Sequence, residues 1–79
     1  MKPIFISRHA LLRVRQREIS LEEVKATIRR PDLKVPSKRG RLKAVKKFRG
    51  RELVVIYKRT RHLDIVVTVF WRENVDFIR

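Results

Sequence analysis

The sequence predicts an α+β domain, with two N-terminal helices packed on an antiparallel sheet of three to four strands. Three observations carry this expectation. Ser7 and the run Ser20-Leu21-Glu22-Glu23 are helix-start signals ahead of segments without Gly or Pro, Pro31 ends the second segment, and three strand-like runs follow Gly40. Ile4-Phe5-Ile6 is too short to place by pattern alone. Ser7 then offers its hydroxyl as N-cap to a helix over residues 8–18. Ser20 and Glu23 form a capping box, in which hydroxyl and carboxylate each satisfy a free backbone N–H, so the second helix starts at Leu21. Leu21, Val24 and Ile28 make its apolar stripe. Arg29 and Arg30 complement the negative end of its dipole, and Pro31 stops it.

After a loop with Pro36, Ser37 and Gly40, residues 42–48, 53–58 and 63–71 read as an antiparallel meander, with turns at Gly50 and Thr60-Arg61. A two-residue Gly50-Arg51 loop sets Arg49 opposite Glu52, Phe48 opposite Leu53 and Ala44 opposite Tyr57. A second turn of two or four residues sets Tyr57 opposite Asp64 and Ile56 opposite Ile65. One face then carries Val45, Val54, Ile56, Leu63, Ile65, Val67 and Val69. The other carries Phe48, Leu53, Val55, Tyr57, Val66, Thr68 and Phe70. Both faces are apolar and two short helices cover only one. The uncovered face is expected to meet a second chain, a ligand, or the tail at residues 75–78.

Seventy-nine residues and a 43% hydrophobic fraction fit one folded domain over residues 1–79. A chain of this size buries only roughly 60% of its unfolded surface, so any site is expected to be shallow. With no cysteine, disulfides, thiolate nucleophiles and cysteine zinc sites are excluded; two histidines make a weak metal case, and no cofactor is expected. Twenty-two Lys and Arg against eight Asp and Glu give +14, far beyond what solubility needs, so the partner is expected to be polyanionic. No run approaches the roughly 18 apolar residues of a membrane span, and Met1-Lys2-Pro3-Ile4 leads into no signal-peptide core, which points to a cytoplasmic protein. One Gln, one Asn and 38% charged residues resemble thermophile composition.

Lys38, Arg39, Arg41, Lys43, Lys46, Lys47, Arg49 and Arg51 put eight cations in fourteen residues, a match for a phosphate backbone. Strand alternation divides them between faces unless the strand projects as a ribbon, which makes a basic arm the expected form. The competing reading is a charged edge strand that blocks aggregation. A membrane surface fits less well, because no amphipathic apolar face accompanies the cations.

His9, Arg13 and Arg17 fall at i, i+4 and i+8 of the first helix and share a stripe. Cleavage of a phosphodiester by its own 2′-hydroxyl needs a proton acceptor, a proton donor and cations for the charge building on phosphorus oxygens, and this stripe supplies most of that set. The structural alternative is that His9 hydrogen-bonds locally while the arginines pair with Glu18, Glu22 or Asp64. The segment His9-Ala10-Leu11-Leu12-Arg13-Val14-Arg15-Gln16-Arg17-Glu18-Ile19-Ser20, followed by Glu23-Val24, resembles the opening of a small prokaryotic domain-of-unknown-function family. Its motif reads His-Ala-x-x-Arg-Met-x-x-Arg-Gly-Ile-Ser-x-x-x-Val, and the family is allied to RelE/BrnT-type ribonuclease toxins. Leu53 to Tyr57 and Thr68-Val69-Phe70 resemble its later strands. The resemblance implies a RelE-like fold, a role in toxin and antitoxin systems, and RNA cleavage with His9, Arg13 and Arg17 at the matching positions. Thr68 is a weaker carry-over. Glu18 stands where the family has Gly, and Val14 where it has Met.

The expected function is a metal-independent endoribonuclease of the RelE-like toxin type, with RNA as substrate and an acidic antitoxin protein as partner; a homodimer stays open. The alternatives are a non-catalytic RNA- or DNA-binding module and an adaptor for an acidic protein. His62, Tyr57 and Lys58 are the candidates for a second proton-transfer group. Phe48, Phe70 and Trp71 are either core aromatics or base-stacking platforms.

Overall fold

A computed structural model describes residues 2–73. The elements run β1 (Ile4–Ile6), α1 (Arg8–Gln16), α2 (Leu21–Arg29), β2 (Leu33–Pro36), β3 (Leu42–Phe48), β4 (Arg51–Arg59) and β5 (Asp64–Glu73), with a 3-10 turn at Lys38–Gly40. The sheet is five-stranded and mixed, in the order β1-β5-β4-β3-β2, rather than a purely antiparallel one of three to four strands. The expected meander of β3, β4 and β5 is present and is extended by β2, antiparallel along β3. β1 adds a parallel edge, with Ile4 beside Asp64 and Ile6 beside Val66. Neither added strand has a strong pattern of its own. β1 has three residues, and β2 ends on Pro36 at the sheet edge, where a missing N–H does little harm.

Both helix starts follow the sequence expectation. The Ser7 hydroxyl accepts from Ala10 N–H at 3.2 Å; Ser20 Oγ accepts from Glu23 N–H at 3.0 Å, and Glu23 Oε1 accepts from Ser20 N–H at 2.9 Å. α1 stops at Gln16, two residues short of the expected end. Ile19 N–H donates to the Val14 carbonyl at 2.9 Å and Glu18 N–H to that of Arg15 at 3.4 Å, while Glu18 takes φ 53°. This is a Schellman closure, with buried Val14 and Ile19 supplying its apolar contact. In α2 the buried line is Val24, Thr27 and Ile28, and Leu21 is 41% exposed rather than part of the stripe.

The β3–β4 hairpin turns on Arg49-Gly50, one residue earlier than Gly50-Arg51. Both residues take positive φ, 50° and 87°, as the twist of a tight two-residue hairpin requires. The register therefore sets Phe48 opposite Arg51, Lys47 opposite Glu52 and Ala44 opposite Val55. This is a two-residue shift from expectation, so every side chain keeps its face. The second turn spans four residues, 60–63, with Arg59 opposite Asp64 and Tyr57 opposite Val66 instead of Asp64. A bulge then intervenes, because Ile56 pairs with Thr68 and Val67 is left over. Beyond it the alternation of β5 inverts. Val69 and Trp71 join Leu53, Val55, Tyr57 and Val66 on the helix-covered face, while Thr68 and Phe70 pass to the other.

The core lies between that face and Ala10, Val14, Ile19, Val24 and Ile28. Tyr57 is fully buried there, and its hydroxyl has no hydrogen-bond partner among the described residues. Buried Asp64 takes a two-pronged ion pair from Arg59, at 3.0 Å from Nε and 3.2 Å from Nη2. The opposite face is the open one only in having no helix packed on it: Val45 and Val54 at its centre are buried, and its exposed apolar residues, Phe5 at 58% and Leu33 at 50%, lie on the two edge strands. The tail at residues 75–78, one expected cover for it, lies outside the described residues.

Candidate nucleic-acid interface

α1 is held on the sheet by Ala10 and Val14, and His9 and Arg13 lie one residue step, about 100°, round the helix from that buried line. His9 is exposed in the first turn. Arg13 is half-buried and donates from Nη1 to Gln16 Oε1 at 3.1 Å. Arg17 continues the line only approximately, because the Schellman closure makes it the C-cap instead of a helical residue. From His9 to Arg17 the rise is about 12 Å, more than one phosphate group spans.

The line ends at an aromatic and cationic cluster. Trp71 Nε1 donates to the Arg17 carbonyl at 3.3 Å. The Arg51 guanidinium lies over the Trp71 ring at 4.0 Å from its centroid, and Phe48 meets the same indole edge-to-face at 6.1 Å. Together with Arg49 and Glu23 these three residues line an open concavity of about 550 Å³. Two structural features build it. The early hairpin turn moves Arg51 out of the loop and into β4 opposite Phe48, and the β5 bulge brings Trp71 onto the helix-covered side.

The eight cations of residues 38–51 do not form a projecting arm, nor a charged edge. β3 is an inner strand, paired with β2 and β4. Lys38, Arg39 and Arg41 sit at its start and Arg49 and Arg51 beyond its end, roughly 20 Å apart along seven strand residues. Lys46 faces the helices and donates from Nζ to the Arg30 carbonyl at 2.9 Å, capping the negative end of α2. Lys43 and Lys47 share the open face with Val45.

The three candidates for a second proton-transfer group fall in different settings. Tyr57 is buried, with burial pushing its hydroxyl pKa up, against a downward pull from Arg59 and with a further push from Asp64. Lys58 follows it onto the opposite face. His62 sits exposed in the 60–63 turn, where Thr60 Oγ1 accepts from the backbone of both His62 and Leu63. Among the described residues, no group of three His, Cys, Asp or Glu side chains could hold a metal ion, and no helix is long and apolar enough to cross a membrane.

Sequence reading identified the stripe and the cations but missed the cluster that joins them. Glu23 was visible only as a cap, and nothing in the pattern signalled that it lines the same concavity as Arg51 and Trp71. No curated protein and no solved structure matches the chain significantly. A family model, that of the domain of unknown function DUF4258, matches residues 6–71, from the end of β1 through both helices to Trp71. The match includes the whole His9 to Ser20 motif and leaves only short ends unmatched, so the chain belongs to the DUF4258 family.

Proposed function

We propose that this protein binds RNA across α1 and the end of the β3–β4 hairpin and cleaves it as a metal-independent endoribonuclease of the RelE-like toxin type. The observation that carries this reading is the continuous line from exposed His9 through Arg13 to Arg17, whose carbonyl is tied to Trp71 in the cation and aromatic cluster. In this reading His9 accepts the proton of the attacking 2′-hydroxyl as the P–O2′ bond forms, the P–O5′ bond breaks to leave a 2′,3′-cyclic phosphate, and the departing 5′-oxygen takes its proton from water. Arg13 stabilises the charge on the phosphorus oxygens, Arg17 holds the next phosphate along the line, and Arg49, Arg51 and the aromatics hold the flanking strand. Lys38, Arg39 and Arg41, at the far end of β3, then reach only a longer RNA. The sheet face away from the helices, which carries Lys43 and Lys58 between the exposed edge residues Phe5 and Leu33, is where an acidic antitoxin would dock.

A non-catalytic RNA- or DNA-binding module is the second reading. It is favoured by the distribution of titratable groups, since Tyr57 is buried and Lys58 lies on the other face from α1. One experiment separates the two. A labelled, structured RNA is incubated with the protein in EDTA, alongside His9→Ala and Arg13→Ala. The ribonuclease reading expects products with 2′,3′-cyclic phosphate ends that are lost in both variants while binding survives in His9→Ala. Binding by wild type without cleavage would give first place to the module, and cleavage undiminished in His9→Ala would remove His9 from the chemistry.

A further inference from the structure

We infer that the concavity between α2 and the β3–β4 hairpin is a nucleobase subsite that selects guanine, an inference that rests on the RNA-binding reading above. Its wall is already a stack, the Arg51 guanidinium over Trp71 with Phe48 against the indole edge. Bases stack on arginine planes and aromatic rings alike, so this wall presents a flat surface of the right kind. The concavity also holds one carboxylate, Glu23, beside Arg49 and Arg51. Glu23 Oε1 accepts the capping hydrogen bond from Ser20 N–H, which fixes the side chain and leaves Oε2 and the second lone pair of Oε1 for a pair of further donors.

An acceptor set beside guanidinium donors matches one base best. Guanine offers N7 and O6 as paired acceptors for arginine, and N1–H and the 2-amino group as donors for a carboxylate. Uracil lacks the exocyclic amine. Adenine carries an amine where guanine has O6, so an arginine reaching for N7 and O6 meets a donor. Glu23 thus has two functions in this assignment, as helix cap and as the reader of the base edge.

Because Trp71 is the single tryptophan of the chain, its fluorescence reports directly on the wall. The probes are the RNA pentamers UUGUU, UUAUU, UUCUU and UUUUU, end-labelled for anisotropy in one series and unlabelled for tryptophan quenching in another. UUGUU is expected to bind roughly tenfold tighter than UUUUU, in keeping with the worth of one well-formed base contact, and to quench Trp71 most. Glu23→Gln keeps the cap, since glutamine also serves in a capping box, so the variant is expected to fold with an unchanged thermal midpoint. It should lose the preference for UUGUU, the ratio of UUGUU to UUUUU affinity falling from about ten to about one. Equal affinity for the four pentamers, or a guanine preference that survives Glu23→Gln, would overturn the assignment. Binding seen by anisotropy with Trp71 fluorescence unmoved would overturn this subsite and leave RNA binding standing. Anisotropy that shows no binding of any pentamer would remove both.

Discussion

Glu18 holds a left-handed backbone, φ 53°, at the position that closes α1. A residue with a Cβ is strained there by about 1–2 kcal/mol, whereas glycine adopts the conformation freely at some cost in unfolded-chain entropy. Glu18→Gly is therefore expected to stabilise the domain by about 1 kcal/mol net, raising the thermal midpoint by about 4–8 °C. A lower midpoint by calorimetry would mean that the Glu18 side chain contributes more than its strain costs. Tyr57 is the complementary case, a buried hydroxyl without a partner among the described residues. Removing an unsatisfied polar atom of this kind costs little, so Tyr57→Phe is expected to be neutral or stabilising by up to about 1 kcal/mol. Burial raises the folded-state pKa of this phenol above its unfolded value of 10.0. Its contribution to stability is therefore complete below that value and is lost as pH rises through the folded one. Urea melts between neutral and strongly alkaline pH should show wild type losing stability more steeply than Tyr57→Phe. Parallel pH profiles would mean that Tyr57 does not titrate on unfolding.

At the scale of elements, the sequence shows most clearly what is local. Ser7, Ser20 with Glu23, and Pro31 each act on backbone groups within four residues, and the helix starts they mark are where the structure has them. β1 and β2 depend instead on what lies beside them, since three residues and a Pro-terminated run acquire strand geometry only by pairing with β5 and β3. The β5 bulge is the most consequential hidden feature. Continued alternation would put Trp71 on the open face with Val67 and Val69, and one unpaired residue, Val67, moves it under the helices instead. The α1 stripe was legible because it needs only helical spacing, although the Schellman closure sets Arg17 at its margin. The concavity that Arg51, Trp71 and Glu23 line was not, because it requires the hairpin register, the bulge and the α2 cap at once.

For the molecule as a whole, +14 spread over a sheet with cations at both ends gives a field that draws polyanions from any direction. Net charge alone cannot say where they bind, but the fold supplies an asymmetry. One end of β3 carries a solvated basic turn at Lys38–Gly40. The other carries arginines stacked on aromatics next to the α1 stripe. In the proposed function RNA contacts are made at this second end. Affinity for a single-stranded RNA measured across a range of salt concentrations tests it most directly, for wild type, Arg13→Ala/Arg17→Ala and Lys38→Ala/Arg39→Ala. Each lost phosphate contact should reduce the slope of log affinity against log salt by about 0.7, so the Arg13/Arg17 variant should be shallower by about 1.4. The Lys38/Arg39 variant should keep the wild-type slope on a short strand. A wild-type affinity indifferent to salt, or a slope that falls only when Lys38 and Arg39 are removed, would contradict the account.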